Sequence, residues 1–217
     1  MNGCGVRRRP AMDQPATEAY VTRLPPRARP TLYRGIQMRS RLEATVAEWL
    51  DAQGLVWKYE GPAYGNEDGQ YLPDFQISGL LIEGISHTLY FDVKPPGKER
   101  EQPGLIGRTL NRMERIWASD PAARLMVVGA HEDPYVMAMR WREGADRVLA
   151  NGSWVRCEEC GFIGVEDFYH WDRMFWLAHE AWRCPACDHR GFDPISPWVS
   201  PQYRRYQELT GQPDEPK

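Results

Sequence analysis

Two Cys-x-x-Cys pairs, Cys157/Cys160 and Cys184/Cys187, stand 23 residues apart in this chain of 217 residues. No other feature constrains the fold as tightly. That spacing is the pattern of two knuckles that close a tetrahedral Zn²⁺ site through four thiolates. Four sulfurs fill the shell and leave no position open for water, so the expected zinc is structural, and His170, His179 and His189 are expected to be ordinary side chains. A short segment carrying Trp154, Trp171, Trp176 and Trp182 needs such a metal in order to fold. The fifth cysteine, Cys4, stands alone. An odd count with this pairing reads as metal binding in a reducing cytoplasm, not as disulfides. Zinc ribbons bind DNA, RNA or protein, so the module defines architecture without naming a partner. The aromatics between the two pairs read as a small core in preference to a base-stacking platform.

The charge distribution adds a second constraint. The whole chain carries a formal net charge of −3, yet residues 1–42 contain nine arginines against Asp13 and Glu18, a net of +7 that leaves −10 on the rest. With Pro10, Pro15, Pro25, Pro26 and Pro30, residues 1–32 read as a flexible basic leader. Such a leader suits contact with a phosphate backbone or simple solvation. Hydrophobic residues at 42% and charged residues at 26% exclude a disordered or fibrous chain. No apolar run approaches the roughly 18 residues of a membrane span, and no apolar segment follows the N-terminal arginines. The expectation is a cytoplasmic protein with no membrane partner.

Periodicity gives the rest of the organisation. From Met38 a helix is expected, with Leu42, Val46, Trp49 and Gln53 on one stripe, Glu43, Ala47 and Leu50 beside it, and Gly54 as the stop. Strands are expected at Val56–Glu60, Gln70–Ser78 and Thr88–Pro95, then a helix over 105–118 and a buried strand over 124–131. Helix, three strands, helix, strand is an α/β order. Tyr135–Trp141 reads as a further strand. Asn151-Gly152 is a tight-turn signal, and the second module is expected to start near it. The domain reading is a leader at 1–32, a core at 33–150, a zinc ribbon at 151–200, and a tail at 201–217 with at most one short helix.

Three polar residues on the expected strands carry chemistry. Alternation puts Asp92 and Lys94 on one face of their strand, opposite Phe91 and Val93. Pairing of the two strands brings Asp74 to that face. Carboxylate oxygens are the hard donors that Mg²⁺ or Mn²⁺ takes, and an ammonium beside them can orient water or neutralise a phosphate. Glu43 faces inward on the first helix, where an unpaired carboxylate is costly. It also fits a capping box with Ser40. Glu60, at a strand end, is a lesser candidate, and Lys98 reads as a surface charge. Arg108, Arg112 and Arg115 form a basic face that is either solvated or able to track phosphates.

The strings Arg39-Ser40-Arg41-Leu42-Glu43-Ala44, Tyr71-Leu72-Pro73-Asp74-Phe75 and Phe91-Asp92-Val93-Lys94-Pro95, with 17 residues between the two aspartates, resemble the PD-(D/E)xK nuclease superfamily. The resemblance covers residues 33–131 and is strongest to phage-type and transposon-type endonucleases, including the end-cutting subunit of heteromeric transposases. It implies a restriction-endonuclease-like core, a central mixed sheet flanked by helices. It also implies that Asp74 and Asp92 bind Mg²⁺ or Mn²⁺, that Lys94 positions the attacking water, and that Glu43 supports the metal. Asp92 stands where many members have Glu, which shortens the reach by one methylene. The resulting expectation is a metal-dependent DNA endonuclease of phage or mobile-element processing, with DNA as its partner and the ribbon open to other proteins of a DNA-processing complex. The alternative is a non-catalytic adaptor on a nuclease-like scaffold.

Overall fold

The first helix begins where a hydroxyl can cap it. In the computed structural model, which describes residues 28–66, 69–82, 85–168 and 182–210, a small hairpin of β1 (Thr31–Tyr33) and β2 (Ile36–Met38) precedes α1 (Arg41–Ala52). Arg34 and Gly35, both at positive φ, make its two-residue turn. Three-residue arms are too short to show a period, so the sequence reading began the helix at Met38. The helix instead starts after Ser40, whose Oγ accepts the Glu43 amide at 3.1 Å.

Then follow β3 (Trp57–Tyr59), β4 (Tyr64–Asn66), β5 (Gly69–Tyr71), β6 (Phe75–Ile82) and β7 (Ile85–Val93). The single strand expected over Gln70–Ser78 is two, because Pro73 has no amide to continue a ladder. β4 and β5 form their own hairpin. β3, β6 and β7 form an antiparallel meander. A short helix α2 (Lys98–Glu101), α3 (Leu105–Met113) and a 3-10 turn over Glu114–Ala118 cross over to β8 (Arg124–Val128), which runs parallel to β7. β9 (Met137–Glu143), β10 (Asp146–Cys157) and β11 (Ile163–Phe168) add antiparallel strands, and β12 (Phe192–Ile195) also pairs with β10. The chain ends its described part in a 3-10 turn (Pro197–Val199) and α4 (Pro201–Thr210).

The fold is therefore α/β, built on one curled, mixed sheet of eight strands. In a flat sheet β7 and β10, three strands apart, lie about 14 Å from each other. Here the rings of Phe91 on β7 and Trp154 on β10 approach to 6.3 Å, and Trp154 meets Trp49 of α1 at 5.6 Å. The curl brings β11 round toward β6, where Gly164 faces the Leu81 carbonyl. One core holds α1 against Phe75, Phe91, Met126, Met139 and Trp154; a second, across the sheet, holds α3 against Tyr90, Leu125 and Val127.

Asn151-Gly152 is not a turn. It lies inside β10, opposite Ala138 and Met137 of β9 and Phe168 and Asp167 of β11. A Cβ on Gly152 would stand 2.3 Å from the Met139 sulfur and 2.8 Å from the Glu166 carbonyl, so the glycine serves close strand packing. The boundary expected near residue 150 thus falls within a strand that pairs with β9 at one end and with β11 and β12 at the other. The short helix allowed in the tail is α4, whose Tyr203 joins the α1 core. The basic leader up to residue 27, Cys4, His170, Trp171, Trp176, His179 and residues 211–217 lie outside the described residues. No described helix is long and apolar enough to cross a membrane.

Because Trp154 is 2% exposed and packs its ring on both Trp49 of α1 and Phe91 of β7, Trp154→Ala should lower the unfolding free energy by about 3–5 kcal/mol. Urea denaturation followed by circular dichroism measures it. A loss under about 1 kcal/mol would mean that the curl closes without this contact.

Candidate functional site

The β6–β7 register builds the acidic site. Phe75 pairs with Phe91, their rings stacked at 5.1 Å. The next position outward therefore sets Asp74 beside Asp92. Both carboxylates are 5% exposed. Asp74 Oδ2 accepts the Val93 amide at 2.7 Å, which locks the aspartate across the two strands. Lys94 follows two residues after Asp92 on the same face, with its Nζ 2.9 Å from Asp92 Oδ2. Its own amide continues the ladder to the Val128 carbonyl at 2.9 Å. Gly129 lies so close behind this strand end that a Cβ there would stand 2.0 Å from the Lys94 carbonyl.

Glu43 reaches the margin of the site from α1. Its Oε2 accepts the Arg39 amide at 3.1 Å and the Tyr59 hydroxyl. The capping reading is realised in part: Ser40 caps α1, while Glu43 returns to the residue before it. Glu43 is not gathered with Asp74 and Asp92 into a three-ligand group; among the described residues only the four cysteines form one. Glu60 lies nearer than its strand-end position suggested. Its backbone is left-handed, φ 42°, and its carboxylate meets Arg39 Nε at 2.6 Å.

Three further residues belong to this site, and sequence pattern singles out none of them. Arg39 places Nη2 on Asp74 Oδ1. Tyr71 donates to Asp92 Oδ1. Tyr59 donates to Glu43 and accepts the Arg39 amide at 2.8 Å. Arg39 and Tyr71 stand inside the strings noted above and Tyr59 on β3 outside them, but the contacts of all three cross from one element to another, beyond the reach of periodicity. Lys98 pairs with Glu101. The expected ridge of Arg108, Arg112 and Arg115 is not uniform: Arg108 and Arg112 are exposed, whereas Arg115 lies over Gly65 and Gly69 of the β4–β5 hairpin.

Electrostatics follow from this burial. Desolvation, then the charge of Asp92, raises the Asp74 carboxyl to about 7, against the opposing pull of Lys94 and the Val93 amide. Burial and Asp92 likewise push Tyr71 far upward, so it stays protonated and remains a donor.

The four cysteines form the second centre. Their sulfurs lie within 4.8 Å of one another, with Cys157 and Cys187 at 3.7 Å and Cys160 and Cys184 at 3.5 Å. A tetrahedron of sulfurs about 2.3 Å from zinc has edges of about 3.8 Å, so the set can hold a metal such as zinc. The two knuckles repeat one hydrogen-bond pattern. The Gly161 amide reaches the Cys157 carbonyl at 3.0 Å, and the Asp188 amide reaches Cys184 at 2.8 Å. The Cys157 amide bonds the Phe162 carbonyl and the Cys184 amide that of His189, each at 2.9 Å. The residue after each pair, Gly161 or Asp188, takes positive φ. Burial opposes ionisation of Cys157, but the amides of Cys160 and Glu159, with the neighbouring thiols, bring it down to about 7. His189 contributes its carbonyl to the knuckle and is not among the ligand group.

Comparison of the chain with protein-family profiles, with curated proteins and with solved structures gives no match.

Two measurements follow. Asp74 binds its proton more tightly folded than unfolded, so its contribution is present below about pH 4 and is lost as pH rises through about 7. Asp74→Asn should therefore be more stable than the parent at pH 8, with the advantage gone at pH 4, as read from urea melts. An Asn variant weaker at pH 8 would show that the Arg39 and Lys94 contacts outweigh the repulsion. Elemental analysis of the purified protein should find one tightly held zinc per chain, absent when Cys157 and Cys160 are both serine. A metal-free parent would exclude the centre.

Proposed function

We propose that this chain is a metal-dependent DNA endonuclease whose site is formed by Asp74, Asp92 and Lys94, with Glu43 at its margin. One observation carries the reading: two carboxylates, each 5% exposed, are held side by side on adjacent strands with an ammonium two residues on. Burying two like charges is costly, and the raised Asp74 carboxyl records that cost. A protein keeps such a pair where a hard cation completes it. The order helix, antiparallel meander, crossover and parallel strand also agrees with what the PD-(D/E)xK resemblance implies. Asp74 and Asp92 are the residues that would hold Mg²⁺ or Mn²⁺, which supplies charge stabilisation at the phosphate and at the leaving oxygen.

The chain's own groups account for the rest. Lys94 Nζ stands at the edge of the acidic pair, where it orients the attacking water and meets developing negative charge. Tyr71, kept protonated, fixes one oxygen of Asp92; the Val93 amide fixes one oxygen of Asp74. Water attacks phosphorus and gives up one proton to solvent, the bond to the leaving oxygen breaks, and that oxygen takes one proton from solvent. The cysteine centre is read as a structural zinc ribbon that grips DNA or a partner protein, and four reduced thiols suit a reducing compartment such as the cytoplasm.

One observation favours the adaptor reading. All four oxygens of Asp74 and Asp92 already have protein donors, namely Val93, Arg39, Tyr71 and Lys94. Cleavage assays on supercoiled, linear, single-stranded and branched DNA, with and without Mg²⁺, separate the two. The endonuclease reading expects Mg²⁺-dependent strand scission that Asp92→Asn abolishes. Lys94→Ala should lose turnover while its DNA affinity stays within about threefold, because one phosphate contact among several adds little to binding. No scission of any form, or full activity of Asp92→Asn, would leave the adaptor reading.

A further inference from the structure

The four donors on the aspartate pair are not equivalent. Val93 contributes a backbone amide inside the sheet, and the Tyr71 side chain is buried. Lys94 is 20% exposed and Arg39 is 52% exposed. Arg39 is therefore the donor that can leave. Its backbone is fixed by Tyr59 and Glu43, so only the side chain has to move. Glu60 sits at φ 42°, a left-handed backbone that is uncommon outside glycine, and this aims its carboxylate at Arg39 Nε. Ordinary surface ion pairs contribute little and call for no such backbone. The guanidinium is thereby held between Glu60 and Asp74, with a planar fork suited to two carboxylates.

Resting on the endonuclease reading, we propose that Arg39 is the exchangeable counter-ion of the site. It neutralises Asp74 until a divalent cation takes its place, and the displaced guanidinium remains anchored beside the site by Glu60. Arg39 is then a positioning residue: it holds the acidic pair in register, and its departure is a step in loading the cation. Removing it leaves Asp74 bound only by the Val93 amide, with more negative charge facing an incoming ion.

Mn²⁺ binding to the full-length, zinc-loaded protein, followed by electron paramagnetic resonance without DNA, tests this. Arg39→Gln should tighten Mn²⁺ binding about tenfold, because one partly exposed cation next to the ion is removed. Glu60→Gln, which frees the guanidinium from its second carboxylate, should not tighten it. Asp74→Asn should abolish binding in both backgrounds, and thermal melts of each variant confirm the fold. Unchanged or weaker Mn²⁺ binding in Arg39→Gln, or no binding in either protein, overturns the proposal. Tight binding in Arg39→Gln with none in the parent supports it. Cleavage is scored separately: a parent that cuts no DNA defeats the endonuclease reading, while the Mn²⁺ comparison still decides whether Arg39 is the counter-ion.

Discussion

The pairing of Phe75 with Phe91 is the contact that sets the two aspartates of the acidic site side by side. Stacked at 5.1 Å beneath α1, the two rings set the register of β6 on β7. A slip of one residue would turn each aspartate to the opposite face and drive a phenylalanine out of the core. With the rings in place, Asp74 and Asp92 must be neighbours, and Val93 must present its amide to Asp74. The hydrophobic core and the polar cluster are thus two faces of one strand pair. That explains how both aspartates stay only 5% exposed, although Asp74 sits at the bend just before β6 and only Asp92 lies within a strand.

Holding them has an electrostatic cost, and the molecule offsets it locally. Arg39 and Lys94 bring positive charge to the pair, and Tyr71 and Val93 bring neutral donors. Burial and the charge of Asp92 still raise the Asp74 carboxyl to about 7, so the offset is incomplete. Two opposite designs were open to the fold. A purely structural pair would gain from replacement by apolar residues of similar size, since buried charges seldom stabilise on balance. The acidic pair instead keeps one exchangeable cation, Arg39, and one tethered cation, Lys94. That asymmetry is the feature that separates the site from a settled salt-bridge network.

Sequence pattern reaches some of this and misses the rest for identifiable reasons. The stripe of Leu42, Val46 and Trp49 in α1 and the alternation around Asp92 are local signals, and both elements form around those residues, with shifted bounds of Arg41–Ala52 and Ile85–Val93. The cysteine spacing was equally legible, because a knuckle is defined within a few residues. The β1–β2 hairpin escaped because its arms are too short for a period. Asn151-Gly152 misled because glycine serves two purposes, left-handed turns and close approach, and Gly152 serves the second, against Met139. Arg39, Tyr59 and Tyr71 were invisible as site residues because each acts across elements that only tertiary structure brings together.

β10 ties the two centres into one mechanical unit. Its first half pairs with β9, its Trp154 packs on Phe91, next to Asp92, and its last residue is Cys157. Two residues separate a core ring from a thiol of the cysteine centre. A strand is stiff where it is paired on both sides, as β10 is by β11 and β9 at Asn151 and Gly152 and by β11 and β12 from Trp154 to Arg156. Whatever orders the knuckle therefore also orders the wall behind Phe91, and whatever loosens the knuckle loosens that wall. β10 thus runs unbroken from the core ring of Trp154 to the first thiol of the cysteine centre, so that centre closes the end of a strand of the same sheet that carries Asp92.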